Sequence, residues 1–140
     1  MDENVRLLQE NLKPLFQPRS VAVIGASNNR NKWGHLSFKS LMNHFPGDLY
    51  AVNNHDPEIL GYKAYDKVTS IPGHVDLAVI VVPPKNIAQV MEDCVRHKVR
   101  AGIIITAGFQ EVGAEGKIMQ DQVVDIARKG GIRLVGPNCM

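Results

Sequence analysis

Aromatic residues are scarce in this chain of 140 residues, 6% in all, and Trp33 is the one tryptophan. Glycine, valine, isoleucine and alanine carry much of the 44% apolar content instead. That mix suits buried parallel strands with helices packed over them. Cysteine is nearly absent. Cys94 and Cys139 make no metal or redox spacing, and they read as two reduced intracellular thiols, since disulfides are rare in the cytosol. No apolar run approaches the ~20 residues of a membrane span. The stretch from Met1 to Gln17 has acids at positions 2, 3 and 10 and no apolar block before a cleavage site, so it is not expected to be a secretory leader. The cytoplasm is the expected location. Charge is also nearly balanced: a formal +2 is too weak to argue for a nucleic-acid or membrane partner. A phosphate-rich small ligand needs only a few local cations and is not excluded.

What remains is an alternation of apolar runs and helical patterns. Ser20–Gly25 is short, β-branched and closed by glycine, which reads as a buried strand. A helix is expected over Trp33–Phe45, stopped by Pro46-Gly47, and a second strand over Asp48–Asn53. Residues 54–75 read as loop, punctuated by Pro57, Gly61, Pro72 and Gly73. Asp76–Val82 is the clearest strand, ended by Pro83-Pro84. A helix follows over Asn86–His97, with Ile87, Val90, Met91, Cys94 and Val95 on one face. Ala101–Thr106 is the fourth strand. A glycine-rich loop over 107–113 leads to a helix over 114–129, capped by Gly130-Gly131, and Ile132–Val135 is the fifth strand. These elements predict an α/β, Rossmann-like three-layer fold with a parallel five-stranded sheet. Residues 1–17 are expected to be a leading helix or arm, and 18–140 the domain.

In an open α/β sheet, ligands bind beyond the carboxyl ends of the strands. Four loops converge there. The first, Gly25-Ala26-Ser27-Asn28 and onward to Lys32, Trp33 and Gly34, joins a strand to a helix start. Small polar residues at a helix N-terminus expose backbone N–H groups to an anion, and Arg30 and Lys32 add positive charge. The alternative is a solvated turn with an ordinary cap. The second loop begins at Val52-Asn53. Here a dinucleotide site would place an acid for the ribose hydroxyls, whereas Asn53 does not repel a phosphate. The third, Val82-Pro83-Pro84, offers an apolar wall or simply starts a helix. The fourth, Thr106-Ala107-Gly108-Phe109, lets backbone approach a ligand at Gly108. The pattern G-x-G-x-x-G is incomplete, with Ser27 and Arg30 where glycines would stand. The five histidines are expected at the surface, with His35 the one nearest the first loop, and no catalytic or metal-binding constellation assembles.

The segment Leu15–Ser27, "YAVNN" at 50–54, "GYKAY" at 61–65, "VDLAVIVVPP" at 75–84, "ITAGFQEVGAEG" at 105–116 and "IARKGGIRLVGPNC" at 126–139 form an ordered series. Over about residues 12–140 it resembles the CoA-binding domain of NDP-forming acyl-CoA synthetases. It is similar also to the CoA-binding part of the succinyl-CoA synthetase α subunit. Such domains occur fused to acetyltransferases and as free-standing proteins. The resemblance implies coenzyme A, or acyl-CoA, as ligand. It implies that Gly25, Ser27 and Lys32 hold phosphates, that Val52-Asn53 and Val82-Pro83 flank the nucleotide, and that Thr106–Phe109 guide the pantetheine arm. Family loops often carry a proline between Ser27 and Lys32, where this chain has Asn29, Arg30 and Asn31. The family's phosphohistidine and ATP-grasp domains lie beyond this stretch, so the chain is expected to bind CoA and to need those partners for ligation. Two rival readings are an NAD(P)-binding oxidoreductase domain and a ligand-free interaction domain.

Overall fold

The computed structural model describes residues 13–105 and 114–135, together with Glu3 and Arg6. The calls on Thr106, Ala107, Gly108, Phe109, Cys139 and most of the leading arm therefore lie outside the described residues. The sheet is built around β1 (Ser20–Ile24), whose five residues are all buried. Successive side chains of a strand point to opposite faces. Val21 and Val23 enter one core, and Ala22 and Ile24 enter the other. A strand buried on both faces needs a helical layer on each side.

Helix α1 (Trp33–His44) covers the first face. Phe38, Leu41, Met42 and Phe45 recur at i, i+3, i+4 and i+7, and they pack with Val21, Val23, Leu77 and Val79. Pro46 ends the helix, because proline disfavours helical backbone in the residue before it. On the second face lie α2 (Pro84–Arg96) and α3 (Ala114–Lys129), side by side. Their Ile87, Met91, Cys94, Val123 and Ala127 pack against Ala22, Ile24, Ala78 and Ile80.

The other strands are β2 (Asp48–Val52), β3 (Glu58–Ile59), β4 (Tyr62–Tyr65), β5 (Leu77–Ile80), β6 (Ala101–Ile104) and β7 (Arg133–Val135). Their order is β3-β4-β2-β1-β5-β6-β7. All pairings are parallel except β3 with β4. The sheet thus has seven strands rather than five. The five expected strands are present, and the extra pair falls in the stretch read as loop. Leu60 and Gly61 turn the hairpin with φ of 48° and 89°, a left-handed pair suited to the twist of flanking strands. Ile59 is fully buried, and the Tyr62 ring meets Phe38 edge-on at 5.2 Å.

From β1 the chain runs outward to β2, then crosses back to β5 on β1's other side. The change of direction opens a crevice between the carboxyl ends of β1 and β5, where such folds bind ligands.

Candidate functional site

A cleft of about 1130 Å³ occupies that crevice. The backbone at its floor is fixed by ladder bonds that continue past the strands. The Val81 N–H donates to Ile24 O at 2.7 Å, Gly25 N–H to Val52 O at 3.0 Å, and Asn53 N–H to Tyr65 O at 2.9 Å. Gly25 is obligatory here. Its φ is +98°, and a Cβ would stand 2.0 Å from Val81 O.

The loop from Gly25 to Lys32 is held from three elements. Asn53, at the end of β2, donates from Nδ2 to Ala26 O at 2.8 Å, while its Oδ1 accepts from the His55 and Asp56 N–H groups. His35, in α1, donates from Nδ1 to Ser27 O at 3.0 Å. Asn28 reaches to the hairpin, donating to Glu58 O at 2.9 Å and accepting from the Leu60 N–H at 3.0 Å. Within the loop, Ser27 Oγ accepts from the Asn29 N–H and Asn29 Oδ1 from the Asn31 N–H.

Two helices begin at this cleft. No side chain caps the N-terminus of α1 or of α2, and neither has an acid in its first turn. Uncapped N–H groups and the positive end of the helix dipole favour an anion. Lys32 and Lys85 stand at the two helix starts and form no ion pair among the described residues. Asp66 is the one acid in the lining. Its carboxylate accepts from the Ser70 hydroxyl at 2.7 Å, and that bond holds its pKa below the ordinary range.

The structure brings Gly25, Ser27, Lys32, Trp33, Gly34, Val52, Asn53, Val82 and Pro83 together around this one cleft. Ala26 is fully buried behind it. Asn28 turns to the hairpin, and Pro84 sits at the first position of α2. Asn53 lines the cleft, but its side chain is engaged in holding the loop. His35 departs from the surface position expected of it: only 4% is exposed. A helical count back from Phe38 places it on the buried face, a signal present in the sequence. Lys85, Asn86 and Gln89 also line the cleft, and their place just after a strand-ending proline was the available clue. A smaller cleft of about 680 Å³ lies among the strands' amino ends, near Arg19, Tyr50 and Asp76.

The profile of the CoA binding domain family matches residues 19–140. The chain belongs to that family. This CoA-binding domain is 49% identical, over 89% of its length, to the acetate–CoA ligase (ADP-forming) II subunit alpha of Pyrococcus furiosus, of which it covers 27%. It is 42% identical to a 4-hydroxybutyrate–CoA ligase (ADP-forming) of Nitrosopumilus maritimus, covering 91% of this chain and 18% of that protein. The apo structure of a dinucleotide-forming acetyl-coenzyme A synthetase from Ca. Korarchaeum cryptofilum superposes with a TM-score of 0.86 at 38% identity, over 91% of this chain and 28% of that one. The domain thus spans less than a third of the length of these relatives.

Coenzyme A is the cofactor of the family, and the cleft fits it. Its volume lies just above the range of ordinary ligand sites, roughly 300–1,000 Å³, which leaves room for an extended nucleotide conjugate. Two uncapped helix starts and two lysines without ion pairs among the described residues suit several phosphates, while Val81, Val82 and Pro83 supply an apolar wall. Among the described residues no helix is long and apolar enough to cross a membrane.

Proposed function

We propose that this domain supplies the coenzyme A site of an ADP-forming acyl-CoA ligase. In that assembly, ATP-grasp and ligase parts would activate the acyl group. The single observation that carries the reading is the convergence of the Gly25–Gly34 loop, two uncapped helix N-termini, Lys32 and Lys85 on one cleft, in a chain of the CoA-binding family. We take residues 18–140 as the binding domain and 1–17 as a leading arm. Its last turn lays Leu15 against the α1-side core.

When bound, coenzyme A would supply a thiol that accepts an acyl group. This chain's residues bind and orient. The amides of the first loop and of α1 would hold phosphate oxygens, with Lys32 and Lys85 balancing their charge. Val52 and Asn53 would flank the nucleotide on one side and Val82-Pro83 on the other. Thr106–Phe109 would guide the pantetheine arm toward the reactive centre. The end of β2 carries Asn53 rather than a carboxylate, which supports CoA over NAD(P) as ligand.

Calorimetry with CoA and with NAD⁺, on wild type and Lys32→Ala, tests this. Saturable CoA binding is expected, indifferent to NAD⁺. The substitution should weaken it about fivefold, the worth of one exposed charge contact of about 1 kcal/mol. NAD⁺ binding without CoA binding, or no binding of either, contradicts it.

A further inference from the structure

His35 is one of two buried polar residues among those described, the other being Ser20. Its Nδ1 stands 3.0 Å from Ser27 O. A carbonyl oxygen can only accept, so Nδ1 carries the hydrogen. A trans peptide sets its N–H opposite its C=O. With the Ser27 carbonyl turned inward to His35, the N–H of Asn28 is turned the other way. The neighbouring peptide repeats the arrangement: Asn53 takes the Ala26 carbonyl, so the Ser27 N–H turns away from Asn53. Neither N–H donates to a protein acceptor among the described residues. Both amides belong to the loop that leads into the uncapped start of α1, where the helix dipole favours an anion.

We propose that His35 is the positioning residue of this loop. By holding the Ser27 carbonyl it aims the Asn28 amide at a phosphate of the bound coenzyme, without touching the ligand itself. This rests on the CoA reading above. It also assigns the ring's tautomer, since the hydrogen on Nδ1 makes the bond.

The test is a set of three variants. His35→Asn carries an amide nitrogen close to the place of Nδ1. His35→Gln moves that donor one bond further out, and His35→Phe removes it. CoA affinity is measured by calorimetry and thermal unfolding by circular dichroism. In ¹⁵N-labelled protein, the Ser27 and Asn28 amide resonances are followed while inorganic pyrophosphate is added. His35→Gln and His35→Phe should each bind CoA about tenfold more weakly, the loss of one aligned hydrogen bond. Their Asn28 resonance should no longer answer pyrophosphate. His35→Asn should recover affinity to within about twofold of wild type, although it fills the pocket less well than His35→Gln. A structural role alone would not produce that order. If wild type binds CoA and the Gln and Asn variants bind alike, or His35→Phe binds as wild type does, the role of His35 is overturned and the CoA reading stands. If wild type takes no CoA, both fall.

Discussion

Gly34→Ala sets two physical effects against each other, and the structure decides which prevails. Gly34 is the second residue of α1. Helix propensity alone favours alanine over glycine by about 0.5–1 kcal/mol. However, a Cβ at this position would stand 1.9 Å from the Gly25 carbonyl oxygen and 2.9 Å from its carbon. Both are backbone atoms of the residue that ends β1, so no side chain can swing aside. The helix start and the loop must part by about 1 Å, and overpacking of this kind costs about 1–3 kcal/mol. The net effect is a loss of stability of up to about 2 kcal/mol. For a domain of this size that lowers the unfolding midpoint by up to about 8 °C. The larger effect falls on binding. The displaced parts carry the amides of the phosphate loop and of α1, so CoA affinity should drop at least tenfold. Gly61→Ala is the control. Its Cβ would meet nothing within 4 Å, and only the positive φ of 89° opposes it, a backbone cost of about 1–2 kcal/mol with CoA binding unchanged. Thermal unfolding and calorimetry on the pair read both quantities. A Gly34→Ala protein as stable as wild type and with undiminished CoA affinity would refute the packing argument.

Two further expectations concern the core. Burial, with Asp93 adding to it, pushes the Cys94 thiol up from 9.0 to about 12. The folded chain thus keeps the proton after the unfolded chain has lost it. The stability this gives is complete below pH ~9 and fades between about pH 9 and 12. In a Cys139→Ser background, iodoacetamide at pH 8 should label Cys94 only as fast as the chain unfolds, and rapid labelling of the folded protein would contradict this. Phe38 is fully buried between β1, the hairpin and Tyr62. Phe38→Ala should cost about 3–5 kcal/mol, read by chemical denaturation, and a loss below about 1 kcal/mol would show that the hairpin closes over the gap.

The layered architecture was legible because the apolar runs are short, β-branched and separated by helical periods, and those features encode burial on two faces. The hairpin was not. Its turn is Leu60-Gly61 rather than an asparagine–glycine pair, and of its six strand residues only Ile59 is fully buried, so neither the turn nor the alternation stands out. The candidate site was legible as loops, because strand ends and helix starts mark themselves with glycine and proline. What each side chain does within it was not. Asn53 is bonded to Ala26, 27 residues earlier, and Asn28 to Leu60, 32 residues later. These contacts exist only once β1, β2 and the hairpin lie side by side. Cap residues such as Lys32, by contrast, depend on local order and could be read directly.

The central claim is that coenzyme A lies across the carboxyl ends of β1, β2 and β5. Titrating ¹⁵N-labelled protein with CoA and mapping the backbone amide shifts tests it most directly. The account predicts the largest changes at Gly25, Ser27, Gly34 and Asn86, with Arg19, Tyr50 and Asp76 at the opposite edge unmoved. Shifts concentrated at Arg19, Tyr50 and Asp76 would place the ligand in the other cleft and contradict the account.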